Sequence, residues 1–113
     1  MDGNIWLVLS FDKIKLGMQS EFIASSWLSK NNYLIYWRTQ DNDVIDLIAV
    51  HRITGAVIKV DVKTASYRRT GKKAGTMIAR MQSKYQKQLG VKILYVFKNG
   101  ECKWKKWKKS GAT

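Results

Sequence analysis

Asp46, in Val44-Ile45-Asp46-Leu47-Ile48-Ala49-Val50, and Asp61 with Lys63, in Ile58-Lys59-Val60-Asp61-Val62-Lys63, are ionisable groups set among Val and Ile. Both runs read as buried strands. A charge on or beside a packed strand costs several kcal/mol unless it is paired or holds a metal. Asp61 and Lys63 are two residues apart, so their side chains leave the same face of a strand. Two carboxylates converging on a divalent ion, with an ammonium beside them, suit attack on a phosphodiester. That reaction builds negative charge on the phosphoryl and leaving oxygens. Carboxylate-held Mg²⁺ offsets the charge and lowers the pKa of bound water to give a nucleophile. Lys63 would orient that water or hold the transition state. An acid-x-Lys triplet alone is common, and a surface salt bridge would explain it. For Asp46 the plain alternative is a strand-edge aspartate bonded to backbone. The spacing adds weight to the chemical reading: an acid on one strand, a tight hairpin, then acid-x-Lys on the next bring all three groups to one sheet edge.

The elements that must position these groups follow from the hydrophobic pattern. Asn4 to Ser10 is a short apolar stretch, a candidate strand. Leu16 to Ser29 reads as a helix, with Leu16, Ile23 and Trp27 on one side, joined by Phe22 and Leu28, and Asn31-Asn32 as its stop. Tyr33 to Thr39 reads as a strand, Gln40 to Asp43 as a polar turn, and Val44 to His51 as the next strand. Thr54-Gly55 closes a hairpin into a strand from Ala56 to Thr64. A basic loop from Ser66 to Gly75 follows, and Thr76 is placed to cap a second helix ending at Leu89 before Gly90. Val91 to Phe97 is a strand, Asn99-Gly100 a two-residue hairpin signal, and the lysine- and tryptophan-rich tail pairs back as an edge strand. The order is helix, three strands, helix, strand, strand. It predicts an α/β fold with a central mixed β-sheet flanked by helices.

The 113 residues are read as a single domain, with a basic aromatic tail over residues 103–113. The lone cysteine, Cys102, excludes an intrachain disulfide and fits a reducing, intracellular compartment, cytoplasm or nucleoid. The longest apolar run, Ile5 to Leu9, is too short to span a membrane. Charge is divided unevenly. Up to Lys63, seven Lys and Arg balance seven acids; beyond it, fourteen bases face only Glu101, so the whole net charge of +13 lies there. That is the pattern of a catalytic half and a phosphate-gripping half. Arg68, Arg69, Lys72, Lys73, Arg80, Lys84, Lys105 and Lys106 are the candidate nucleic-acid contacts.

Glu21, on the first helix, is a candidate third carboxylate beside Asp46 and Asp61; as a lone helix glutamate it also reads as a solvated side chain. Gly17-x-x-x-Glu21, Asn32-Tyr33 leading into a strand that ends Arg38-Thr39, Asp46-Leu47-Ile48-Ala49 and Val60-Asp61-Val62-Lys63 resemble the PD-(D/E)xK nuclease superfamily. Within it the pattern is most similar to the archaeal-type Holliday junction resolvases, over roughly residues 16–97. The resemblance implies a restriction-endonuclease-like core, Glu21, Asp46 and Asp61 as metal ligands, and Lys63 as the catalytic lysine. It also implies a helix glutamine near the site, for which Gln82 is the first candidate and Gln86 the second. Mg²⁺, or Mn²⁺ in its place, is the implied cofactor. The implied activity is endonucleolytic cleavage of branched DNA by a homodimer, with the N-terminal segment around Trp6 as a candidate dimer surface. Two features depart from the pattern: Asp61 stands where these resolvases usually carry Glu, and the basic loop Tyr67 to Gly75 is longer than a minimal resolvase needs. A sequence-specific homing or restriction-type endonuclease shares the same core and is the alternative enzyme. A non-catalytic basic nucleic-acid-binding protein is the alternative of another class.

The remaining motifs add little chemistry. His51 is the only histidine and reads as structural, and Cys102 lacks partner ligands. Gly71-x-x-x-Gly75 lacks the rest of a P-loop or dinucleotide fingerprint. In the tail, Trp104 and Trp107 would face opposite ways on a strand, one into the core and one exposed among lysines for phosphate contact or base stacking.

Overall fold

The computed structural model describes residues 11–40 and 44–106. The expected Asn4 to Ser10 strand, the Trp6 surface, positions 41–43 of the polar turn, and Trp107 lie outside the described residues. The first helix, α1, spans Phe11–Lys30, starting earlier than Leu16. Its hydrogen-bonded turns run through Gly17, because one glycine in a helix costs only about 1 kcal/mol against alanine. The buried stripe is Ser20, Ala24 and Leu28, with Ile23 and Trp27 half-buried beside it. Phe22, expected to join that stripe, is exposed instead. Small side chains at positions 20 and 24 let the helix sit close to the sheet, and Ser20 Oγ lies 2.5 Å from Thr64 Oγ1 across the gap. The helix stops where expected: Asn32 takes the left-handed conformation at φ 70°, and Asn31 Nδ2 donates back to Trp27 O at 2.8 Å.

Five strands follow, β1 (Tyr33–Trp37), β2 (Leu47–His51), β3 (Val57–Thr64), β4 (Lys92–Val96) and β5 (Cys102–Trp104), in the sheet order β1-β2-β3-β4-β5. All neighbours are antiparallel except β3 and β4, which run parallel, so the fold is α/β with a mixed sheet. A parallel pair needs a long crossover. Here it carries the basic loop and the second helix, α2 (Lys84–Leu89). Leu47, Ala49, Val60, Leu94, Val96 and Cys102 pack with Ala24 and Leu28 on the α1 side of the sheet. Strand alternation therefore sends Asp61, Ile93 and Tyr95 to the other side. Trp104 joins the core edge to face with Trp27, ring centroids 6.2 Å apart, as the packing reading of the tail expected.

Further expectations change. The second helix starts after Ser83, not Thr76. Residues 66–78 instead fold back as a two-stranded finger: Arg68 N–H donates to Thr76 O, Ile78 N–H to Ser66 O, and Tyr67 bridges Met77. Those pairings consume the backbone groups that a helix from Thr76 would need. Ser83 and Gln86 supply the competing start, a reciprocal capping box, and Gly90 ends the helix at φ 73°. The second strand is shorter than Val44 to His51, because Asp46 N–H bonds Val60 O out of register with the Leu47↔Val60 pair. The β4–β5 connection turns over the three residues 98–100, closed by Phe97 N–H donating to Glu101 O and Gly100 N–H to Phe97 O, so Gly100 rather than a two-residue turn reverses the chain. Among the described residues no helix is long and apolar enough to cross a membrane.

Replacing Ser83 by alanine removes the cap from a helix of only six residues. A loss of about 1 kcal/mol in urea-unfolding free energy is expected.

Candidate active site

The site forms at the end of the β2–β3 ladder. Asp46 stands one residue before β2, and its Oδ2 accepts Val62 N–H at 2.6 Å. The carboxylate thus takes a strand N–H that a continued ladder would have paired with a carbonyl. Asp61, on β3, is 5% exposed, and its side chain shares a hydrogen bond with that of Asp46. Two carboxylates in contact cannot both ionise freely. Burial, then the charge of Asp61, the bond shared with it, and the charge of Glu21 push the Asp46 carboxyl up to about 6, against the lowering effect of Val62 N–H.

Three side chains hold the pair. Lys63 Nζ lies 3.5 Å from Asp61 Oδ1, the same-face neighbour that the spacing predicted. Gln86 Nε2 donates to Asp61 Oδ2 at 3.0 Å and to Val44 O at 2.8 Å, while its Oε1 accepts Ser83 N–H in the capping box. Arg38 leaves the end of β1 and spans two elements, with Nη1 3.1 Å from Asp46 Oδ1 and both Nη1 and Nη2 3.3 Å from Glu21 Oε2.

Glu21 therefore reaches the site through a guanidinium. Its helix packs on the α1 side of the sheet, whereas Asp61 is on the side of Gln86. Arg38 bridges the two sides at the strand ends. Accordingly, no group of three His, Cys, Asp or Glu side chains able to hold a metal ion occurs among the described residues. Asp46 and Asp61 fit a divalent cation on the chemistry of the donor pair: two oxygen-only ligands in contact, one of which burial and the neighbouring carboxylate hold protonated to an unusually high pH.

The other predicted residues are placed as follows. Gln82 is buried but turns away from the carboxylates: its Nε2 donates to Val91 O, and its Oε1 has no hydrogen-bond partner. Of the two glutamines, Gln86 is the one at Asp61. Arg68, Arg69, Lys72 and Lys73 are exposed on the finger, and Lys84 and Lys106 are exposed too. Arg80 is half-buried, with its N–H on the Tyr95 hydroxyl at 2.9 Å. Lys105 Nζ donates to Arg80 O, so that ammonium ties β5 to the crossover in place of meeting solvent. His51 is structural: Nδ1 accepts Ile53 N–H and Thr54 N–H within the hairpin, and the ring meets Tyr33 edge to face. Cys102 is buried, which pushes its thiol up to about 11 and away from reactivity.

Arg38 is a site residue that no motif in the sequence marks as functional. Its position is the signal, since it is the first charge after an aromatic strand antiparallel to the one Asp46 opens. The Ser83-x-x-Gln86 box was the signal that would have chosen Gln86 over Gln82. No protein-family model, curated protein or solved structure matches the chain.

Because the folded state raises the Asp46 pKa from 3.8 to about 6, protonated Asp46 favours folding below pH 3.8, and that contribution is lost as pH rises through 6. Asp46→Asn keeps an oxygen for Val62 N–H and removes the charge. In metal-free buffer it should raise the urea midpoint at pH 8 and leave it nearly unchanged at pH 4; a larger gain at pH 4 would contradict the assignment.

Proposed function

We propose that this chain is a Mg²⁺-dependent endodeoxyribonuclease with a restriction-endonuclease-like core, acting as a homodimer on branched or distorted DNA. The observation that carries the proposal is the contact between the Asp46 and Asp61 carboxylates, with Lys63 3.5 Å from Asp61 at the same strand end. The resemblance to PD-(D/E)xK nucleases supports it independently, through the order of Glu21, Asp46 and Asp61-Val62-Lys63 along the chain.

Asp46 and Asp61 would hold the cation, which supplies charge neutralisation at the phosphoryl oxygens and a water of lowered pKa. The chain's own groups do the rest. Val62 N–H and Gln86 orient the two carboxylates, each by one oxygen. The Lys63 ammonium lies beside Asp61, where it can donate to a phosphoryl oxygen or orient the attacking water. Arg38 is a second cation at the site and suits a phosphate oxygen, once freed from the Glu21 and Asp46 carboxylates. The exposed bases of the finger, Arg68, Arg69, Lys72 and Lys73, suit the flanking phosphates.

A second reading, a non-catalytic nucleic-acid binder, draws support from that basic finger and from the separation of Glu21 from Asp61. It requires salt-sensitive binding with no cleavage at any Mg²⁺ or Mn²⁺ concentration.

Labelled four-way junction, flap and linear duplex incubated with Mg²⁺, with EDTA as the blank, separate the readings. The junction should be cut fastest; cleavage of one linear sequence without regard to geometry would instead mark a homing or restriction-type enzyme. Asp61→Ala should lower the rate on the order of 10²–10³-fold or more while junction binding is kept. Gln86→Ala should cost roughly 10–100-fold as an orienting residue, and Gln82→Ala much less. Wild-type rates in Asp61→Ala would remove the site assignment.

A further inference from the structure

A cleft of about 230 Å³ opens beside the candidate site, lined by Met18, Glu21, Phe22 and Trp37. Its walls are apolar and conspicuously exposed: Phe22 is 61% accessible, Met18 49% and Trp37 40%. Phe22 and Trp37 meet edge to face, centroids 6.0 Å apart and planes at 68°, an arrangement that leaves ring surface open to a third planar group. The position matters as much as the composition. Glu21 lines the cleft and, through Arg38, is tied to Asp46. Trp37 immediately precedes Arg38 in the chain. Whatever fills the cleft lies one side chain, Arg38, away from Asp46.

Size and charge select the occupant. The volume is below the roughly 300–1,000 Å³ typical of drug-sized ligand pockets. A protein partner needs on the order of 800 Å² of contact per side, far more than the four lining side chains among the described residues supply. A single planar ring system fits. The net charge of +13, carried beyond Lys63, suits the chain as a whole to a polyanion, and base stacking on exposed aromatic rings is how polyanion-binding grooves gain affinity without reading sequence. The Glu21 carboxylate on the cleft wall accepts hydrogen bonds, which the amino and ring N–H groups of bases donate.

We propose that the Met18–Phe22–Trp37 cleft receives one unstacked nucleobase of the DNA substrate, beside Glu21 and next to the cleaved phosphate. The inference rests on the nuclease reading for its substrate, and it names a feature that substrate must have: a base free to leave the stack. A branch point offers such bases at little cost, whereas an intact duplex must first be unpaired. The cleft thus gives a physical source of preference for distorted DNA that the carboxylates do not supply.

The test is binding in EDTA, so that no strand is cut. Wild type, Phe22→Ala and Trp37→Leu are compared on a four-way junction and on the same junction with an abasic site replacing each nucleotide at the branch point in turn. Far-UV circular dichroism checks that each variant is folded. One abasic position should weaken wild-type binding about tenfold, the fold-change that loss of one stacked base brings. Each variant should bind the intact junction about tenfold more weakly and lose the distinction between intact and abasic DNA. Variants that bind like wild type, or that weaken yet still discriminate the abasic site, overturn the proposal. The nuclease reading fails separately: a wild type that binds and discriminates but never cuts with Mg²⁺ defeats that reading and leaves the cleft standing. Normal cutting with unchanged binding in both variants defeats the cleft alone. A wild type that binds no DNA defeats both.

Discussion

The structure turns on two aspartates placed in contact where a β-ladder ends. Asp61 is buried and Asp46 half-buried, and burial raises the cost of charge on Asp46. Every neighbouring element answers that cost. Val62 N–H is withheld from the ladder and given to Asp46. Gln86 is anchored in its own capping box and from there reaches Asp61. Lys63 and Arg38 bring positive charge from two different strands. Even so, the balance is incomplete, because Asp46 remains protonated to about pH 6. Burial is the largest cause of that rise, and the neighbouring carboxylates add to it.

The parallel β3–β4 pair sets the rest of the layout. It forces a crossover, and the crossover carries most of what the candidate site needs from beyond Lys63: the basic finger, Gln86 and the exposed Lys84. Lys59 Nζ closes the crossover by donating to Leu89 O at the end of α2, a cation at a helix C-terminus. The opposite side of the sheet is occupied by α1, whose small buried residues allow close packing and whose outward side carries Glu21 and the aromatic cleft. Acidic groups, aromatic surface and basic finger thus come from separate stretches of chain and are joined through strand ends.

Much of this was legible in the linear order. Alternation predicted that Asp61 and Lys63 share a face, and they do. Asn32, Gly90 and Gly100 marked chain reversals where the backbone takes positive φ. Thr76 and Ser83 are both acceptable caps for the second helix, and the pairing of residues 66–78 with one another leaves the start to Ser83. The hydrophobicity of Phe22 points to the core, but helical periodicity fixes only which residues share a face. Which face meets the sheet was decided by Ser20 and Ala24, whose small size permits the closer approach. Gln82 and Gln86 are one turn apart with the same chemistry, and only the position of the capping box distinguishes them.

By itself, the sequence determined the alternation of elements, the mixed α/β character, the pairing of Asp61 with Lys63, and the segregation of basic residues beyond Lys63. Each rests on local periodicity or on composition, which need no knowledge of distant contacts. Tertiary structure decided that Asp46 touches Asp61, that Arg38 stands between Asp46 and Glu21, that Gln86 rather than Gln82 reaches Asp61, and that Phe22 and Trp37 face a common cleft. Those depend on where a helix sits against a sheet and where a ladder stops. Both are settled by packing and by competition for backbone hydrogen bonds between segments far apart in the chain.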